Sequence, residues 1–433
     1  MVCAYIETYG CANNVAESQI IAGLLERAGI ELVKSPEHAD VIVVNTCDVK
    51  LATRNKMLER LRFLSERFGE EKLVIAGCMP EIEPSLLREL FPRASMVSTN
   101  HIDEMVKAVG EILKGGRVEL IGRKPLEKVC MPKIRDNPVR NIIPICSGCN
   151  GACAFCATKL AKGNVFSFSE EKILKEMLAS RDAGVKEFYL TGQDVSCYGL
   201  DYCEGSRLPE LLQKILACVK GKYFIRLGMM NPKNVLKISN RLLRIYRDER
   251  VFKFLHVPVQ SGSNRILRRM NRGYTVEEFA DLVRKFRRHF PEMTVWSDII
   301  IGFPGETEKD FEKSVELVKE LKFDYVNVSR FSPHRVLKVS REKQVPTEIQ
   351  KERSRTLSAL VNRIAAERNK AWVGWEGEVL VDEYNRKKMS YIGRNFAYKP
   401  VVIKAERKLA LGEFVKVRVI EAKHSCLIGE VIE

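Results

Sequence analysis

Three short apolar runs in the first eighty residues each close on a cysteine: CAYIETYGC (3–11), DVIVVNTC (40–47) and KLVIAGC (72–78). The stretches between them have helical character, and strands that alternate with helices fold as a parallel sheet covered by helices. All strands of such a sheet end on one edge, and ligands bind there. Cys11, Cys47 and Cys78 are therefore expected to converge, although 36 and 31 residues separate them. Free cysteine is often simply buried, but burial does not explain the same position recurring on three strands.

The alternation resumes from 141 to about 332, with six apolar runs interleaved with helices: IIPIC, EFYLTG, YFIRLGM, FKFLHVPV, VWSDIIIGF and YVNVSRF. Six strand–helix units in order predict a whole or partial barrel with its chemistry at the carboxyl-end loops. Loop-building and polar residues fall at those ends: Gly192, Gln193 and Asp194, then Asn231, then Gln260 and Gly262, then Gly302, Pro304 and Gly305. Ahead of the barrel, IGRKPLEKVCMPKIRDNPVR (121–140) has little periodicity and three prolines, as a linker does. Behind it, VPTEIQKERSRTLSALVNRIAAERNK (345–370) places Leu357, Leu360, Val361 and Ile364 at helical spacing. The tail then alternates polar and apolar residues with glycine breaks, the pattern of a small antiparallel β-barrel of oligonucleotide-binding type. The chain is read as α/β, with a flavodoxin-like domain over 1–115, a linker over 116–135, a partial (β/α)6 barrel over 136–370 and a small β-barrel over 371–433.

No run of eighteen apolar residues occurs, so no membrane contact is expected. The N-terminus MVCAYIETYG lacks the basic-then-apolar layout of a secretion signal, which points to the cytoplasm. There, thirteen cysteines read as metal or redox sites rather than as a disulfide framework. The formal charge of +16 is concentrated in residues 121–370, with 47 Lys and Arg against 29 Asp and Glu, which suggests a polyanionic partner.

The densest cysteine cluster is CSGCNGACAFCATKLAKG (146–163). Cys149, Cys153 and Cys156 follow C-x3-C-x2-C, and three thiolates on one loop suit an iron–sulfur cluster with one iron left open. A structural zinc wants four ligands, and Cys146 would complete such a set, so at this point both readings stand.

At the end of the first barrel strand, this spacing resembles the radical S-adenosylmethionine superfamily. ETYGCANNVAES, NTCDVKLAT and AGCMPE resemble the N-terminal domain of its methylthiotransferases. HVPVQSGSNRILRRMNRGYT (256–275) and SDIIIGFPGETEKDFE (297–312) resemble their barrel, and the tail resembles their RNA-binding TRAM domain. Ala157, Thr158, Lys159, Ala161 and Gly163 fit the C-x-TK-x-A-[RK]-G run of the branch acting on threonylcarbamoyladenosine in tRNA, and LTGQDVSCYGLD (190–201) is similar to that branch too. Two departures stand out. FSPHRVLKVSRE (331–342) replaces the usual R-P-G-T-x-A, and ANNVAES leaves Asn13 and Asn14 as the polar groups beside the first cysteine.

The resemblance implies two 4Fe-4S clusters, one on Cys149, Cys153 and Cys156, which are the catalytic cysteines, and one on Cys11, Cys47 and Cys78. It implies S-adenosyl-L-methionine as radical source and methyl donor, and the tRNA anticodon stem-loop as partner. The chain is expected to act as a monomer, with sulfur and electron donors that the sequence does not name. Gln193, Asp194, Arg226, Asn231, Gln260 and Ser261 lie at or just after strand ends, where contacts to the cofactor's ribose or carboxylate would be made, although a polar residue there also often caps the next helix.

Overall fold

The computed structural model describes residues 1–48 and 51–432, and for 51–53 the backbone alone. The first part is a six-stranded, wholly parallel sheet. Its order is Glu31–Leu32, Cys3–Thr8, Val41–Thr46, Leu73–Gly77, Ser95–Ser98, Glu119–Leu120. Val41–Thr46 and Leu73–Gly77 are buried along their whole length, as strands covered on both faces must be. The chain leaves Cys3–Thr8 toward one edge and returns to Val41–Thr46 on its other side. This reversal makes a crevice between the two strand ends, and Cys11 and Cys47 follow those two strands.

Glu119–Leu120 corrects one expectation. It pairs with Met96 and Val97 as the sixth strand of the sheet, so these residues are not linker. The rest of the segment is also tied down: Ile134 N–H donates to the Gln19 carbonyl at 2.9 Å, and Lys128 is 3 % exposed.

The central part has the six expected strands, Arg140–Pro144, Glu187–Thr191, Phe224–Leu227, Phe254–His256, Thr294–Ile301 and Tyr325–Arg330. They form two three-stranded parallel sheets, joined where Ile225 bridges Val251. Outward residues such as Phe188, Leu190, Ile225 and Leu255 enter one large core with the surrounding helices. Helix Thr347–Lys370 adds Leu357, Leu360, Val361 and Ile364 to it. Capping boxes start two other helices, Thr275 with Glu278 and Thr307 with Asp310. No helix among the described residues is long and apolar enough to cross a membrane.

The tail closes into a five-stranded barrel, ordered Glu376–Asn385, Ser390–Arg394, Pro400–Lys404, Leu427–Val431, Phe414–Ala422. Every pair is antiparallel except Pro400–Lys404 with Leu427–Val431. The turn between its second and third strands drives Tyr398 into the central part. There its ring lies 4.9 Å from Phe252 and from Phe254, and its hydroxyl reaches Glu187 Oε1 at 3.4 Å. The next residue, Lys399, meets Asp324 at 2.7 Å and Asn369 at 2.8 Å. Tyr398→Ala is expected to cost about 3–5 kcal/mol, as emptying an aromatic core site does, read as a lower urea midpoint for the central transition.

Candidate active site between two cysteine triplets

The N-terminal triplet assembles by backbone geometry. Gly10 has φ +119, and a β-carbon there would stand 2.7 Å from the Cys47 β-carbon, so the two loops touch. Cys78 N–H donates to the Thr46 carbonyl at 3.0 Å, which joins the third loop to the second. Cys11 is exposed, whereas Cys47 and Cys78 are buried. Burial pushes the Cys78 thiol up to about 12, with Cys47 and Cys11 adding to the rise and Lys162 opposing it. Cys11 Sγ lies 3.3 Å from Asn14 Oδ1, and Asn14 Nδ2 donates to the Thr46 carbonyl at 3.0 Å. In the run NTCDVKLAT, Val49 and Lys50 lie outside the described residues.

The second triplet lies on the loop after Arg140–Pro144. Gly148 N–H donates to Gln193 Oε1 at 2.6 Å and Cys149 N–H to the Gly163 carbonyl at 3.2 Å, closing the loop at its base. Each sulfur is met by donors. Gly151 N–H points at Cys149 Sγ from 3.2 Å, and the buried Cys197 thiol lowers Cys149 further by hydrogen bonding. Arg272 Nη1 donates to Cys153 Sγ at 3.1 Å. Burial raises Cys156, followed by repulsion from Cys153, and the backbone N–H groups of Thr158 and Lys159 with the Thr158 hydroxyl oppose that rise. A β-carbon on Gly151 would sit 3.2 Å from Cys149 Sγ and 3.8 Å from Cys153 Sγ, so glycine leaves this cradle open. Sulfurs ringed by N–H donors suit anionic metal ligands.

The two triplets adjoin. Cys78 and Ile82 pack directly on Ala157 and Ala161, which follow Cys156. His334, in the divergent loop, reaches across from the barrel and places Nε2 3.1 Å from Asp48 Oδ2, one residue past Cys47. Lys159 folds back to donate to the Gly151 carbonyl at 2.9 Å. Cys146 is fully buried, and its thiol reaches the Asp194 carbonyl at 3.7 Å.

The remaining expected contacts divide. Gln193, Asp194 and Asn231 gather around the Cys149 loop: Asn231 caps helix Pro232–Ile245, its Nδ2 4.0 Å from where a Gly151 β-carbon would be. Asp194 accepts from Ser196 N–H at 3.0 Å, Asn231 N–H at 3.0 Å and Asn234 Nδ2 at 3.1 Å. Gln260 is held at φ +75, uncommon outside glycine, and its Oε1 is buried with no hydrogen-bond partner among the described residues. Ser261 Oγ accepts from Ser263 N–H at 3.2 Å. Arg226 lies one residue before its strand end, and its guanidinium stacks on Tyr189 at 3.8 Å and on Tyr398 at 4.9 Å. Beside the loop, a cavity of about 400 Å³ is bordered by Asn150, Gly151, Asn231 and Asn234. The three-sulfur cradle and the glycine gap fit an iron–sulfur cluster, and the orphaned Gln260 Oε1 suits a hydrogen-bond donor. Arg272 and Cys197 were missed from sequence because neither carries a spacing relation to the cysteines they touch.

Comparison with known proteins agrees with this arrangement. Family profiles match the Radical SAM superfamily over residues 143–318, the uncharacterized protein family UPF0004 over 3–99 and the TRAM domain over 370–432. Fold and site together define a radical S-adenosylmethionine enzyme with a second cysteine site and a TRAM barrel. The chain is 41% identical over 436 residues to a probable threonylcarbamoyladenosine tRNA methylthiotransferase of Pyrococcus horikoshii, covering 100% of both. It is 32% identical to the Homo sapiens enzyme of that name, over 98% of this chain and 73% of that one. It belongs to the threonylcarbamoyladenosine tRNA methylthiotransferase family. Among solved structures, the radical S-adenosylmethionine methyltransferase TsrM of Kitasatospora setae aligns over 76% of this chain and 72% of its own, with a TM-score of 0.53 at 14% identity, a likeness of fold alone.

Proposed function

We propose that this chain adds a methylthio group to carbon 2 of threonylcarbamoyladenosine beside the anticodon of tRNA. The observation that carries the reading is the full-length similarity to enzymes of that name, in a chain where Cys78 of one triplet packs on Ala157 and Ala161, just past Cys156 of the other. Cys149, Cys153 and Cys156 would hold one 4Fe-4S cluster, and Cys11, Cys47 and Cys78 the other. Bound there, the first would supply the electron for splitting S-adenosylmethionine and the second the sulfur.

The protein's own groups prepare this chemistry. Gly151 keeps the loop open, while Arg272 and the Thr158 and Lys159 N–H groups stabilise negative charge on the sulfurs. Gln193 fixes the loop to the second barrel strand, and the free Gln260 oxygen is available to a cofactor donor. The basic central part and the TRAM barrel attract and position the RNA, whose target base already lies in a loop and can leave its stack at low cost. The functional units are those of the sequence reading with 119–120 added to the first, and a single copy in the cytoplasm suffices for the reaction.

The test is nucleoside mass spectrometry after incubating anaerobically loaded protein, S-adenosylmethionine and reductant with tRNA carrying threonylcarbamoyladenosine. A gain of one methylthio group on that nucleoside is expected. No gain there, with a gain on isopentenyladenosine or on an aspartate of a ribosomal protein, would reassign the substrate.

A further inference from the structure

The basic tail of the cysteine loop ends in a residue that does not meet solvent. The Lys162 side chain is 2 % exposed, and its Nζ contacts Glu17 Oε1 and Thr99 Oγ1. Lys128, from the segment between the first two parts, places its own Nζ 2.6 Å from the same Glu17 oxygen and 3.0 Å from Thr99 Oγ1. Two ammonium groups thus share one carboxylate oxygen. Glu17 Oε2 is buried without a hydrogen-bond partner among the described residues. The group carries one surplus positive charge where water is excluded, which is costly unless another anion stands near.

Position identifies that anion. Glu17 lies on the helix that begins just after Cys11, and Lys162 ends the short helix whose Ala161 packs on Cys78. Deprotonated as metal ligands, Cys78 and Cys11 would each favour the charge on Lys162, and Cys78 the charge on Lys128 as well. An inter-domain tie alone would need one lysine on one carboxylate. The second lysine adds charge and no new partner, since both reach the same two oxygens.

We propose that Lys128, Glu17 and Lys162 form a built-in counter-ion for the ligand set Cys11, Cys47 and Cys78, holding one positive charge beside it so that an iron–sulfur cluster there is easier to reduce. This rests on the reading of those cysteines as cluster ligands; the triad acts through charge and is a positioning group, not a catalytic one. Burial pulls Lys128 down only to about 8, so the surplus charge persists at neutral pH.

The experiment uses the full chain with Cys149, Cys153 and Cys156 replaced by alanine, loaded anaerobically, so that an electron paramagnetic resonance titration reads the N-terminal cluster alone. Lys128→Met removes the surplus charge. It should move the oxidised-to-reduced ratio at fixed potential at least tenfold toward oxidised, 59 mV for a one-electron couple. Glu17→Gln leaves the two lysines facing the sulfurs and should move it the opposite way, and Lys128→Arg should stay with the parent. A packing role would shift Lys128→Met and Glu17→Gln in the same direction, or not at all, and either result overturns the proposal. So does a Lys128→Arg shift as large as that of Lys128→Met. A parent holding about four irons with no opposed shifts refutes the triad alone, whereas a parent with no cluster refutes the ligand assignment and the triad with it.

Discussion

Cys153→Ala is expected to abolish S-adenosylmethionine cleavage, and methylthio transfer with it, while tRNA binding and about four of eight irons remain. Cys47→Ala is expected to do the converse, keeping cleavage, losing transfer and retaining the other half of the iron. The asymmetry follows from where each sulfur sits. Cys153 belongs to a loop closed on itself by Gly148–Gln193 and Cys149–Gly163 bonds and backed by Arg272, none of which involves the N-terminal sheet. Cys47 is packed against Gly10 at the sheet's crevice, and its neighbour Asp48 is held by His334. Cleavage of S-adenosylmethionine followed by product analysis, with iron counted in parallel, checks both arms. Loss of cleavage in Cys47→Ala would show that the triplets work as one site rather than two.

The second large effect needs no cysteine. Gly148 has φ +78, and a β-carbon there would overlap the carbonyl oxygen of Asn164 and crowd that of Gly163 at 2.9 Å. Both obstacles are backbone, so neither can swing aside. Gly148→Ala must therefore break the Cys149–Gly163 closure or distort the strand leading into it. The expected result is loss of the iron held by Cys149, Cys153 and Cys156 and at least a hundredfold fall in cleavage, roughly the upper range for disturbing the surroundings of metal ligands. The N-terminal cluster should load normally. Full iron content with unimpaired cleavage would mean that the loop has slack the geometry does not show.

The architecture was legible because it depends on periodicity. Six apolar runs became six strands, and three strand-end cysteines met because a parallel sheet ends all its strands on one edge. The short strands Glu31–Leu32 and Glu119–Leu120 were not legible, since two residues carry no period. The site was readable only where chemistry repeats along the chain. Cys149, Cys153 and Cys156 announce one another, but Arg272 lies 119 residues from Cys153 and resembles the other arginines of RRMNRGYT. Lys162 shows the same limit. A lysine in a basic run reads as a solvated face, and only the packing of three segments around Glu17 makes it a buried charge. The long motif GFPGETEKDFE is partly structural, for Thr307 and Asp310 form a capping box and Asp310 accepts from Ser263 Oγ at 2.6 Å.

The junction at Tyr398 has a consequence for selectivity. Tyr398 is wedged between Phe252, Phe254 and Arg226, Lys399 is sunk onto Asp324, and Arg140 bonds Asp382 at 2.6 Å. These contacts fix the terminal barrel to the central one as a jig is bolted to its bench. In the proposed reaction, an RNA held by that barrel would meet the cleft between the cysteine triplets at one set distance and angle.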